Sequence, residues 1–368
     1  MPVSFRPRTP LHAISMTSTL KEEPGEICTE ANYSSEDGGA FLFHLEAIWG
    51  YFSAQVTTRP SMVDNFLAIL PPNGEVTMYC NELSQIIHMR SKAELKTGQI
   101  VTKDDIAEIN HVHFKTAEDE TIEIPSDSGV VIIISHAWRK SLFYDFRPLT
   151  GPERSIDVGK LVGRQLAGML FQEFYSIADE NWDRMIDWGW FPFIGLSETD
   201  RRQIIGFSTR KEEAREIMKA VCENYRTKIA DRLDSWRKKA ILQEHVPFLE
   251  SARERLLNDD FIACISILYP RIEGVMRGLA LIANPAADTG QSKMVENLIA
   301  NREESSLLLP SRFKKYLLKF YFRSFDFAKG ELPLSRHTVG HGLSRATDYD
   351  LVNATTGFLI FEQLFYYL

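Results

Sequence analysis

Cysteine is scarce in these 368 residues: Cys28, Cys80, Cys222 and Cys264 are scattered, with no paired spacing. That excludes a disulfide-stapled scaffold or a Cys-rich zinc module and fits reduced thiols in a cytoplasmic protein. Long apolar runs are also missing. The longest, VVIIIS at 130 to 135, falls far short of the ~20 residues that cross a bilayer, and MPVSFRPRTPLHAIS at the start lacks a signal-type apolar stretch. An intracellular chain without membrane contact is therefore expected. No Walker loop, GxGxxG or GxSxG occurs, which argues against a nucleoside triphosphatase, a dinucleotide enzyme and an α/β-hydrolase. Positive charge is in deficit too, at a net charge of -8, so a surface coated for long duplexes is excluded while a local basic groove is not.

What is present is ordinary globular material, 44% hydrophobic and 25% charged, on a chain longer than one usual domain. Residues 1 to 38, rich in Ser, Thr, Glu, Pro and Gly, lack sustained periodicity and read as a leader that packing can order in part. From AFLFHLEAIWGYF onward, short apolar segments alternate with turn signals such as PPNGE and PSDSG, a pattern that favours strands over long helices. Period-two patches in HVHF and TIEI and the β-branched VVIII predict a small sheet between 107 and 146, and three- and four-residue spacing predicts helices over 153 to 190. At TRKE, Thr209 and Glu212 form a capping-box pattern opening a long charged helix, read as a connector. The expected class is α+β: a leader 1–38, an α+β domain 39–206, a helical connector 207–250 and an all-α bundle 251–368.

The C-terminal third carries the candidate chemistry. Asp259 and Asp260 open a broadly apolar helix in which Glu273 and Arg277, four apart, share a face just after Pro270, which would kink or reset it. SRFKKYLLKFYFRSFDFAK at 311 to 329 sets Arg312, Lys315, Lys319 and Arg323 on one helical stripe beside Phe313, Tyr316 and Phe320, a combination suited to tracking an RNA backbone and stacking bases. The ordinary alternative is a solvated basic face over an aromatic core. The last segment steps Leu351, Ala354, Phe358, Phe361, Phe365 and Leu368 along one apolar face, with Thr347 or Asp348 as its cap. Just before it stands LSRHTVGHG, in which Arg336, His337 and His341 lie among glycines 340 and 342 that allow close approach.

An early helix with IEGVMR, followed late by an arginine, a histidine and a second histidine, resembles a HEPN domain (higher eukaryotes and prokaryotes nucleotide-binding) over about residues 245 to 368. The resemblance implies an all-α bundle that dimerises and brings two motif copies into one cleft, often for metal-independent RNA cleavage in antiviral defence or toxin systems. Some members of the family only bind.

The same residues suit that chemistry on their own terms. Attack of a 2′-hydroxyl on the neighbouring phosphate needs a proton acceptor, a proton donor and positive charge on the phosphorane oxygens. Imidazoles as a class titrate near neutral pH, so His341 is the expected proton carrier; Arg336 offers a fork of donors, and His337 assists or orients. Glu273 then holds Arg336 across the bundle, and Arg277 adds charge. No cofactor or metal is expected. RNA is the expected partner, with a homodimer through the apolar surplus of FEQLFYYL and a protein or nucleotide regulator acting through the N-terminal domain. The rivals are a non-catalytic binding bundle and a metallohydrolase built on His337, His341 and Asp348 or Asp350. His111 and His113 share a strand face, either as a separate metal site or, more simply, as the polar side of an exposed sheet, and His136, Trp138 and Arg139 follow VVIIIS either as a ligand pocket or around a satisfied core histidine.

Overall fold

The computed structural model describes residues 2–368 apart from 8–10, 73, 301, 304, 327, 329 and 331 and the side chain at 283; parts of the expected leader and of the 311–329 segment therefore lie outside the described residues. The fold is α+β. The chain divides into two compact units, the first made of residues 1–90 and 109–172, the second of 91–108 and 173–368.

The first unit contains β1 (Val3–Phe5), β2 (Ile14–Ser15), β3 (Ile27–Cys28), β4 (Glu30–Ser34), α1 (Gly39–Phe52), β5 (Asn65–Leu70), β6 (Val76–Cys80), β7 (Ser84–Ser91), β8 (Ile106–Lys115), β9 (Gly129–His136), β10 (Arg139–Asp145) and α2 (Val158–Leu170). Six strands form an antiparallel sheet in the order β1-β6-β5-β9-β10-β4, while β2 pairs with β3 and β7 with β8. The VVIII run is β9, with Ile133 opposite Phe66 on one side and Leu142 on the other. Its side chains alternate between two covered faces, so every one from Val130 to Ile134 is buried, as a continuous apolar run requires. Val131 and Ile133 join the α1 side chains Leu45, Ile48 and Phe52 in one core, and α2 lies against β9 and β10.

One expectation for this unit is refined and one corrected. Within the expected leader, β1 and β4 close the two edges of the sheet with three and five residues, runs too short to show a period in the sequence. AFLFHLEAIWGYF is helix, not strand: Phe41, His44, Leu45, Ile48, Trp49 and Phe52 are its buried positions, spaced by three and four.

The second unit is helical, with α3 (Gln172–Tyr175), α4 (Asp179–Asp187), α5 (Glu198–Arg210), α6 (Arg215–Arg237), α7 (Val246–Leu257), α8 (Phe261–Ala283), α9 (Gln291–Ile299), α10 (Pro310–Tyr316), α11 (Arg336–Gly340) and α12 (Leu351–Phe365). Thr209 does not start a helix. It lies in the last turn of α5, its hydroxyl donating to the Ile205 carbonyl at 3.0 Å, and Lys211 closes that helix at φ +61°. The α6 that follows is not a free connector, since Met218, Val221, Cys222, Tyr225, Ile229, Leu233 and Trp236 are buried within this unit and it packs on α7 and α12.

Helix α12 is enclosed by α6, α7 and α8, with every residue from Ala354 to Leu364 buried. Its apolar surplus is thus covered by its own chain. Asp350, rather than Thr347 or Asp348, caps it, accepting from the Asn353 amide at 2.9 Å. Helix α8 runs unbroken through Pro270.

Candidate functional site

Glu273 and Arg277 lie on α8, one turn apart, and the Arg277 Nη2 donates to Glu273 Oε1 at 2.8 Å while its Nη1 donates to Thr289 Oγ1 at 3.0 Å. The other carboxylate oxygen of Glu273 is in direct ion-pair contact with Arg336 Nε. Glu273 is only 6% exposed, so an arginine on each side compensates the cost of burying its charge.

The Arg336 end of the pair is set by local chemistry. Ser335 and Thr338 are both fully buried and cap α11 reciprocally: the Ser335 amide donates to Thr338 Oγ1 at 2.9 Å and the Thr338 amide to Ser335 Oγ at 3.3 Å. Thr338 Oγ1 also donates to the Pro333 carbonyl at 2.8 Å, anchoring the incoming chain. Gly340 leaves room for the arginine, since a Cβ there would sit 3.2 Å from Arg336 Nη1. Gly342, at φ +70°, then turns the chain in a conformation few side-chain-bearing residues adopt.

His337 and His341, on successive turns, meet different surroundings. His337 is half-buried, and its Nε2 faces the Gln291 side-chain amide at 3.0 Å from the start of α9. Burial first, then the Arg336 charge, holds its pKa below 6.5, so the ring is neutral at pH 7. His341 is exposed, with its ring edge-on to Phe325 at 5.9 Å. The buried Tyr321 donates to the Tyr269 carbonyl at 2.6 Å, which ties the segment ending at Tyr321 to α8.

The basic stripe is placed differently. Arg312 pairs with Asp179 at 2.6 Å, and Lys315 and Lys319 share Asp183 at 2.7 and 2.9 Å, both acids lying on α4. Those lysines hold the Asp183 carboxyl below its usual range. Arg323 is exposed. Phe313 and Tyr316 are fully buried, and Tyr316 Oη donates to the Gly189 carbonyl at 3.0 Å, so neither ring has a face free to stack a base. The helix itself stops early: α10 widens into a π-type turn over Leu317–Tyr321 and ends before Arg323.

The remaining candidates separate. Asp348 and Asp350 cap local turns instead of facing the two histidines. Among the described residues, the set of three or more potential ligands close enough to share an ion is elsewhere, at His88, His111 and His113. His136 and Arg139 flank the tight β9–β10 turn, with Ala137 at φ +55° and Trp138 68% exposed beneath the Arg139 guanidinium, so they frame a hairpin. The sequence pattern missed Gln291 and Tyr321, whose part in the site depends on which helices meet, and the α4 acids Asp179 and Asp183. No helix among the described residues is long and apolar enough to cross a membrane. Comparison with protein-family models, with curated proteins and with solved structures finds nothing that matches the chain.

Proposed function

We propose that this protein is a metal-independent endoribonuclease acting at Arg336, His337 and His341, in antiviral defence or a toxin-like stress response in the cytoplasm. The observation that carries the reading is the Glu273-anchored Arg336 guanidinium beside two imidazoles of unlike surroundings, one half-buried and neutral, one exposed. Charge-assisted pairing to Glu273 fixes the fork for a phosphate, and the remaining N–H groups stabilise the two anionic oxygens of the phosphorane. His337 accepts the 2′-hydroxyl proton as the oxygen attacks phosphorus. His341, in its protonated form, donates to the departing 5′-oxygen, leaving a 2′,3′-cyclic phosphate and a 5′-hydroxyl.

Arg312, Lys315 and Lys319 extend the RNA path as charges, not as a stacking platform. Their exposed pairs with Asp179 and Asp183 are each worth about 1 kcal/mol or less, which a phosphate backbone can displace. A homodimer would add a second Arg336, His337 and His341 to the cleft, and a regulator would act through the first unit.

The test is cleavage of a mixed RNA pool by wild type, Arg336→Ala and His341→Ala in excess chelator, read beside thermal melting. The expected result is intact wild-type activity, cyclic-phosphate ends, and a loss of at least ~100-fold in each variant, with melting unchanged in His341→Ala and lowered but still cooperative in Arg336→Ala, which leaves the buried Glu273 with one arginine. Variants that cut as well as wild type would overturn the assignment. RNA binding without any cleavage would make the bundle a recognition module.

A further inference from the structure

The first unit holds a second cluster that plays no part in the chemistry above. His88 is on β7 and His111 and His113 are two apart on the paired β8, so the two-residue period of the strand turns both β8 rings to the face away from the buried Val112 and Phe114. His88 comes across from the neighbouring strand. One potential ligand atom from each of the three rings lies within 4.8 Å of the others. His88 Nε2 and His113 Nδ1 face each other at 2.8 Å, and the ring centroids are 4.9, 5.8 and 6.5 Å apart. A tetrahedral ion ~2.0–2.1 Å from each nitrogen would need those nitrogens about 3.4 Å apart, within a side-chain adjustment of this arrangement.

Exposed polar residues on a ribbon would account for three histidines, but not for what surrounds them. Gly159 stands in the first turn of α2, and a Cβ there would lie 2.0 Å from His111 Nε2; one at Gly163, a turn later, would lie 3.2 Å from the His111 backbone nitrogen. Two helix positions have thus given up side chains, at about 1 kcal/mol each relative to alanine, where the His111 ring and backbone fit against α2. Asp157, the N-cap of α2, accepts from the Lys160 amide at 3.0 Å with the same Oδ1 that faces His111 Nε2 at 3.5 Å. A carboxylate on the far nitrogen of a ligating imidazole is the usual outer partner that fixes ring orientation and raises ligand basicity. His111 and His113 also line a cleft of about 270 Å³ with Phe114, Ile122 and Asp157, which leaves space for water at a fourth ligand position.

We propose that His88, His111 and His113 form a binding site for one divalent transition-metal ion, zinc first, oriented through Asp157 and open to this cleft. Three imidazoles and no thiolate suit zinc over the softer copper(I), and the absence of ligating carboxylates or carbonyls disfavours magnesium and calcium.

The test uses the full chain, stripped with chelator and desalted, then titrated with Zn2+ and separately with Co2+. One zinc per chain should remain after gel filtration, and Co2+ should give the intense visible bands of tetrahedral coordination. His88→Gln, His111→Gln and His113→Gln should each lose both signals. Asp157→Asn, which keeps the helix cap because asparagine also caps, should weaken zinc binding by about 10–100-fold. On the wild-type chain, zinc should shift the ring resonances of these three histidines and leave those of His337 and His341 in place, a readout that does not depend on any variant folding. Failure to retain zinc, retention undiminished in folded ligand variants, or shifts at His337 and His341 instead would each overturn the site.

Discussion

At the scale of single residues, the Glu273 carboxylate has the clearest energetic role, being buried between two guanidiniums. Glu273→Gln keeps the shape and removes the charge. It should cost about 1–3 kcal/mol, the scale of a charge-assisted hydrogen bond, seen as a lower melting temperature. In the proposed reaction Glu273 positions Arg336, so kcat for RNA cleavage should fall while KM holds or improves, because Arg336 keeps its attraction for phosphate but not its aim. A purely structural role would raise KM as well. Lys92 offers a separate test. Burial first, then the Arg201 charge, brings its pKa down to about 7, against the attraction of Asp104 and Glu362. The folded state therefore gives up this proton earlier than the unfolded chain, whose lysine titrates near 10.4. Across that window the unfolded state binds more protons, so stability contributed by this group rises with pH from about 7 upward, and the burial penalty is complete below it. Melting curves should show this rise in wild type and a smaller one in Lys92→Met; equal slopes would exclude Lys92 as its source.

At the scale of elements, the contact of α8 with α12 depends on one missing side chain. A Cβ at Gly357 would come within 2.7 Å of Leu268 Cδ2 and 3.2 Å of Tyr269 Cε2. Gly357→Ala improves helix propensity, yet it should destabilise by about 1–3 kcal/mol because overpacking in an enclosed core outweighs the propensity gain. A higher melting temperature in that variant would show that the helices separate cheaply. Elements with a strong local signature were legible in the sequence. VVIII gave its strand, and Asp260 its cap, accepting from the Ala263 amide at 3.1 Å. Glu273 and Arg277 could be paired because an i,i+4 spacing is local. Legibility ended where the deciding partner is distant. The aromatics beside Arg312 read as core or as platform, core being the simpler, until the Gly189 carbonyl and α4 are seen to cover that side. Thr209 and Glu212 matched a helix start by type, but the left-handed Lys211 makes their region a helix end. His88 was unreadable as a partner of His111 because only strand pairing joins them.

At the scale of the whole molecule, a shared cleft predicts a mass near twice 42.1 kDa by light scattering, and mixing Arg336→Ala chains with wild type should depress activity beyond dilution. Since α12 is already enclosed, the case for a second copy rests on the proposed reaction, which would gain a second pair of imidazoles, and not on the apolar area of α12. Full activity from a 42.1 kDa species would show that one set of Arg336, His337 and His341 suffices. The helical unit is also discontinuous: it takes in residues 91–108, from the middle of the chain's first half. Within that unit the Lys92 carbonyl accepts from Tyr366 Oη at 3.2 Å, and Lys92 Nζ reaches the Leu196 carbonyl at 3.5 Å. On the ribosome, this short stretch emerges long before the helices it serves, and its Lys92 carbonyl meets Tyr366 only when the chain is nearly finished. Cutting the gene at 173 or at 251 would therefore yield not a self-sufficient module but a bundle without the Lys92 acceptor for Tyr366.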